Sequence, residues 1–170
     1  VGVAYLASAA GISPSNFYTY FKTVEEPVLA LCEEAGADCR GLEKHFQTDW
    51  AGERAFASSR AFVTDLLAVW DKHGPVLRVE HMLADKGEPA FAESRINRLR
   101  RLHLAIERRI AQAHHSGLMP KTLSPRLASY QVASLVESTA AGFELLRRAD
   151  TAEAIIDTTA HLVVKLTTGR

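Results

Sequence analysis

The chain has 170 residues, 47% of them apolar, enough to bury a core without staples, so disordered and disulfide-framework classes are excluded. Twenty basic and twenty acidic side chains cancel, which argues against a protein that coats nucleic acid by charge alone. No apolar run reaches the ~18 residues of a membrane span, and Val1-Gly2-Val3-Ala4 lacks the basic and apolar stretches of a secretory signal. The two cysteines, Cys32 and Cys39, stand about 10 Å apart along one predicted helix, too far to bridge. A cytoplasmic protein with reduced thiols is the expectation.

Strand signals are nearly absent, whereas apolar residues recur at steps of three and four throughout. The pattern predicts helices over 3–9, 13–20, 24–45, 54–72, 76–84, 89–115, 125–148 and 151–167. The first two make a tight pair. Leu6 and Ala7 are small enough to let the helices cross closely, Gly11 accepts a left-handed turn, and Ser13-Pro14 caps and opens the second helix. Ile12 and Phe17 then fill the angle between the helices. Ser13, Ser15, Asn16, Tyr18, Thr19 and Tyr20 remain on or near the outer face, with Lys22 just beyond. Polar and aromatic hydrogen-bonding groups of this kind suit a major groove, and the first 24 residues carry no acid to repel phosphates.

Here the chain resembles the tetracycline-repressor (TetR) family. That family's DNA-binding signature runs approximately Thr-Val-x-x-Ile-Ala-x-x-Ala-Gly-Val-Ser-x-x-x-Tyr-x-x-Phe, followed by a Ser-Lys-Glu helix start. Val3, Leu6, Ala7, Ala10, Gly11, Ile12, Ser13, Tyr18, Phe21, Thr23 and Glu25 match in register. The family carries a further helix ahead of this motif, which the given residues begin too late to contain. Gly2 replaces its threonine cap, and Val24 stands where it has a phosphate-contacting lysine, with Lys22 the nearest cation. The resemblance implies a homodimer on a double-stranded DNA operator with two half-sites, released when a ligand binds. It also implies an all-α fold, an N-terminal helix-turn-helix followed by a helical ligand-binding and dimerisation bundle. The expected division is a partial DNA-binding domain with its connecting helix over 1–45 and the bundle over 46–170.

Thr23-Val-Glu-Glu26 reads as a capping box opening the connecting helix. Gly74-Pro75 reads as a stop between helices 54–72 and 76–84. The resemblance implies a ligand pocket among the helices from 54 to 148, and candidate walls are Phe62, Leu66, Trp70, Met82, Phe91, Ile106 and Phe143. Their bulk predicts a small apolar ligand. Helix 89–115 carries an inward stripe, Ile96, Leu99, Leu102, Ile106 and Ile110, and six arginines read as its solvated face. Helix 125–148 is apolar or small on two faces. One can pack on its own subunit; the other, Leu127, Ser134, Ser138 and Leu145, with Ile155, Thr158, Leu162 and Leu166 of the last helix, can pack on a partner. Asp150-Thr-Ala-Glu153 reads as that helix's capping box.

No phosphate loop, nucleophile elbow or His-Glu-x-x-His is present, and the seven histidines lack ligand spacing, so neither catalysis, a metal nor a cofactor is expected. A helical small-molecule-binding or scaffold protein without DNA binding stays open as the alternative.

Overall fold

The computed structural model describes Ala4, Ala7, Ser8 and residues 11–170. The expected helix over 3–9 lies mostly outside the described residues, Leu6 included; Ala4, Ala7 and Ser8 are helical, and Ala7 is fully buried. Gly11 follows at φ 68°, a left-handed conformation that a side chain would strain. Ser13 Oγ then accepts the Asn16 amide at 3.1 Å, and Pro14 supplies a preset φ, so α1 (Pro14–Tyr20) opens where expected. Phe17 is its buried side chain and packs on Phe21 with ring centroids 5.3 Å apart.

Helix α2 (Glu25–Cys39) is shorter than the expected 24–45, because Gly41 turns the backbone to φ 105° and residues Leu42–Phe46 rewind as a 3-10 turn. Thr23 is not its cap. Val24 holds that position with no side-chain bond, and the Glu26 carboxylate instead accepts the Lys22 amide at 2.7 Å. Neither half of the predicted box therefore forms, and the Glu26 carboxylate holds the chain one residue ahead of Thr23.

Where two helices were expected, α3 (Glu53–Asp85) is one. Pro75 leaves the Asp71 carbonyl without its helical donor. Burial of His73, Gly74 and Leu77 on the same stretch carries the helix past the gap, so the proline is absorbed by tertiary packing. Because Pro75 itself is exposed, Pro75→Ala restores a backbone bond without touching the core. The expected gain is about 1–2 kcal/mol, an interior proline's ~3 kcal/mol penalty reduced by the entropy proline removes from the unfolded chain. A thermal melt raised by several degrees is the expected reading, and an unchanged or lowered melt counts against the argument.

Helix α4 (Pro89–His115) follows as expected, and Ser124 caps α5 (Pro125–Ala141) by accepting the Leu127 amide at 3.3 Å. The expected run to 148 stops at Gly142, and a single turn, α6 (Phe143–Leu146), follows it. The last helix, α7 (Ala152–Thr168), is capped by Thr151 and not Asp150: Thr151 Oγ1 accepts the Ala154 amide at 3.2 Å, while the Asp150 carboxylate takes the amide of Thr151. The fold is all-α, with no strand among the described residues. No described helix is long and apolar enough to cross a membrane.

Helices α3 and α4 pack on each other, and α2, α5 and α7 each pack on both. Phe46, Trp50, Phe62, Leu66, Trp70 and Leu77 meet Leu99, Leu102, Ile106, Ile110, Val132, Val136 and Val163 in one apolar core. Polar ties mark the junctions. Asp38 of α2 holds Lys72 and His73 of α3 at 2.8 and 2.7 Å, and Arg60 of α3 reaches Asp157 of α7 at 2.6 Å. Ser59, fully buried, lets α7 come close enough for its hydroxyl to donate to the Ala160 carbonyl at 2.9 Å.

Candidate functional site

With Phe17 turned inward, the rest of α1 is left to solvent. Ser13, Ser15, Asn16, Tyr18, Thr19, Tyr20 and Lys22 are all exposed, Tyr18 and Tyr20 by 57% and 69%. An exposed aromatic pair is unusual without a partner surface. Ser13 spends one lone pair on the cap, whereas Ser15, Asn16 and Thr19, at helical spacings of three and four, share one side of α1. Lys22 has its amide held by Glu26, and its ammonium makes no ion pair among the described residues. The face can both donate and accept hydrogen bonds, as base edges require.

Inside the bundle lies a charge cluster that the reading of α4 as one apolar and one solvated face missed. Arg98, expected with the exposed arginines, is buried. Its Nε donates to Glu80 Oε2 at 2.9 Å, Nη2 lies 2.7 Å from the same oxygen, Nη1 lies 2.9 Å from Glu137 Oε1, and Nη1 also reaches the Cys39 sulfur at 3.9 Å. The Glu137 approach is a charge contact more than a hydrogen bond, because no donor is aligned on Oε1. Ser94 donates to Glu80 at 2.7 Å, and His81 and Arg95 each lie 3.4 Å from the other oxygen of Glu137. Burial pushes the Glu137 carboxyl up, but the His81 hydrogen bond and the charges of Arg98, His81 and Arg95 outweigh it and hold the group down to about 2. One arginine thus joins the connecting helix α2, the long α3 and the outer α5. The signal was there: Arg98 stands seven after Phe91 and four before Leu102, on the inward stripe itself.

Grooves flank this core. One of about 750 Å³ runs between α3, the α5–α6 corner and α7, walled by Leu67, Trp70, Pro75, Ala140, Phe143 and Ile156. Another, about 860 Å³, lies between α2 and α4 beside Cys32, Cys39 and Arg98, and a third of about 320 Å³ beside His103 and Tyr130. Of the residues proposed from sequence as ligand walls, Trp70 and Phe143 meet in the first groove. Phe62, Leu66, Phe91 and Ile106 are sealed in the interior and line none of these three, and Met82 stands exposed on the last turns of α3. Both thiols are held protonated, Cys32 pushed up to about 11 chiefly by burial and Cys39 raised by the same cause. Among the described residues no group of three His, Cys, Asp or Glu side chains could hold a metal ion.

On α5, the α6 turn and α7, Leu127, Ser134, Ser138, Leu145, Thr158 and Leu162 are all exposed, with Leu127, Leu145 and Leu162 at 60%, 68% and 44%. Tyr130 and Leu166 add to them. Ile155, expected on this surface, is instead buried beneath α7.

Architecture and match agree on a class. The described residues form an all-α bundle, and residues 43–170 match a family model described as "Tetracyclin repressor-like, C-terminal domain". The chain belongs to the tetracycline-repressor-like (TetR) family. A comparison with curated proteins gives no match.

Proposed function

We propose that the protein is a ligand-responsive transcriptional regulator, a repressor that reads an operator as a homodimer and leaves it when a small, largely apolar molecule binds the bundle. The observation that carries this reading is the outer face of α1, where seven exposed hydrogen-bonding residues follow a glycine turn in a segment without acids. In this reading Tyr18, Tyr20 and Lys22 meet phosphates, and Ser15, Asn16 and Thr19 meet base edges, with Ser13 at the helix start. The two-faced pattern of α5 and α7 supports the dimer, with Leu127, Ser134, Ser138, Leu145, Thr158 and Leu162 at its interface. Residues 1–45 serve as the DNA head and residues 46–170 as sensor and dimeriser.

A gel shift with the full-length protein and the DNA upstream of its own gene tests the reading. A discrete complex that survives competition by unrelated DNA supports it; no complex leaves the chain as a ligand-binding or scaffold protein. The two kinds of contact separate by variant. Tyr18→Phe removes one hydroxyl and is expected to weaken binding to every sequence by roughly three- to tenfold, the worth of one hydrogen bond. Asn16→Ala is expected to relax preference at particular base pairs by about 1–3 kcal/mol while leaving nonspecific affinity in place. Unchanged affinity and unchanged preference in both variants would sink the assignment.

A further inference from the structure

We propose that the groove between α3, the α5–α6 corner and α7 binds an aromatic or alicyclic small molecule bearing a carbonyl or carboxylate oxygen, and that this oxygen accepts the indole N–H of Trp70. The inference deepens the reading of the chain as a ligand-responsive regulator and rests on it. Trp70 is only 4% exposed and lines the groove, and its Nε1 is closed to solvent with no acceptor among the described residues, so a ligand oxygen reaches it only by displacing the side chains around it. A buried donor in that condition is uncommon, because its hydration has been given up for nothing. The other tryptophan follows the rule: Trp50 donates to the His45 carbonyl at 2.8 Å.

The walls define the rest of the ligand. Leu67, Pro75, Ala140, Phe143 and Ile156 offer apolar surface, and about 750 Å³ lies within the ~300–1,000 Å³ usual for small-molecule sites. A pure hydrocarbon would fill the space and leave the indole N–H unpaired. A cation finds no buried carboxylate among the lining residues, since Asp71 and Glu144 are exposed, while Arg78 makes no ion pair among the described residues. An oxygen acceptor on an apolar body satisfies both demands.

The test uses the full chain labelled with nitrogen-15, which carries two indole N–H resonances. The probes are 2-naphthoate and 2-ethylnaphthalene, alike in shape but with and without the acceptor. The expected result is that 2-naphthoate moves the resonance missing from Trp70→Phe, leaves that of Trp50 in place, and binds at least about tenfold more tightly than the hydrocarbon. Trp70→Phe keeps the aromatic body and should abolish that preference. Ala68→Trp fills the groove from an exposed position, sparing the core, and should abolish the response to both probes. Equal affinity for the two probes, movement of the Trp50 resonance alone, or no movement would overturn the proposal. Operator binding is measured on the same samples without probe. Its absence counts against the DNA-binding reading, whereas intact operator binding with a silent Trp70 counts against the ligand site alone.

Discussion

Arg98→Met is expected to destabilise the protein by about 3–5 kcal/mol, because it leaves Glu80 and Glu137 buried without the cation that joins them. For a chain of this length that is a melting temperature lower by roughly 10 °C or more. The magnitude comes from the uncompensated charges, since methionine fills much of the space. Replacing all three residues by methionine together should therefore recover most of the loss. A triple variant as unstable as the single one, or a single variant losing less than about 1 kcal/mol, would show that the cluster is not held by its charges.

Acid gives a second reading of the same network. Glu137 is held at about 2, below its ordinary 4.5, so its contribution to stability is fully present above 4.5 and is lost as pH falls through about 2. Without Arg98 the largest charge favouring the ionised form is gone, and burial favours the protonated carboxyl. The stability deficit of Arg98→Met should accordingly shrink as the pH is lowered from 7 toward 4, measured by denaturant titration at each pH. A deficit constant over that range would place the damage in packing and not in charge.

Legibility followed the range of the interaction. Some caps and turns that depend on neighbours in sequence could be read directly, as at Gly11 and Ser13-Pro14, whereas the caps expected at Thr23 and Asp150 each fell one residue later, on Val24 and Thr151. Gly74-Pro75 could not, because its effect is decided by the burial of His73, Gly74 and Leu77 against other helices. Phe62, Leu66 and Ile106 look from sequence like pocket walls, since helical spacing identifies the inward face but not whether a void lies beyond it. Arg98 was hidden by habit of composition: six arginines on one helix suggest a solvated face, and only the position of each relative to Leu102 and Phe91 tells which one turns in. The open outer surfaces were the easiest part of the site to see, because exposure of Tyr18, Tyr20, Leu127 and Leu162 is what remains once each amphipathic helix has buried its better face.

That remaining apolar surface on α5 and α7 gives the other large expected effect: Leu162→Glu should convert the protein to a monomer and abolish operator binding without unfolding it. Leu162 is 44% exposed, so a carboxylate there is hydrated in an isolated chain and the subunit's own core is untouched. In a two-fold dimer the substitution enters the interface twice, and each unpaired carboxylate taken out of water costs about 2 kcal/mol or more, which together weaken association roughly a thousandfold. Leu104→Glu is the control: Leu104 is exposed to a similar degree but lies on α4, which contributes nothing to the proposed interface. Light scattering at micromolar concentration should give a dimer mass for the unaltered chain and for Leu104→Glu, and a monomer mass with unchanged helical circular dichroism for Leu162→Glu. Operator affinity should fall with the dimer, because two recognition helices must be held one DNA turn, ~34–36 Å, apart to occupy both half-sites. A Leu162→Glu protein that stays dimeric would move the interface off α7, and a monomer that keeps full operator affinity would break the link between dimer and DNA.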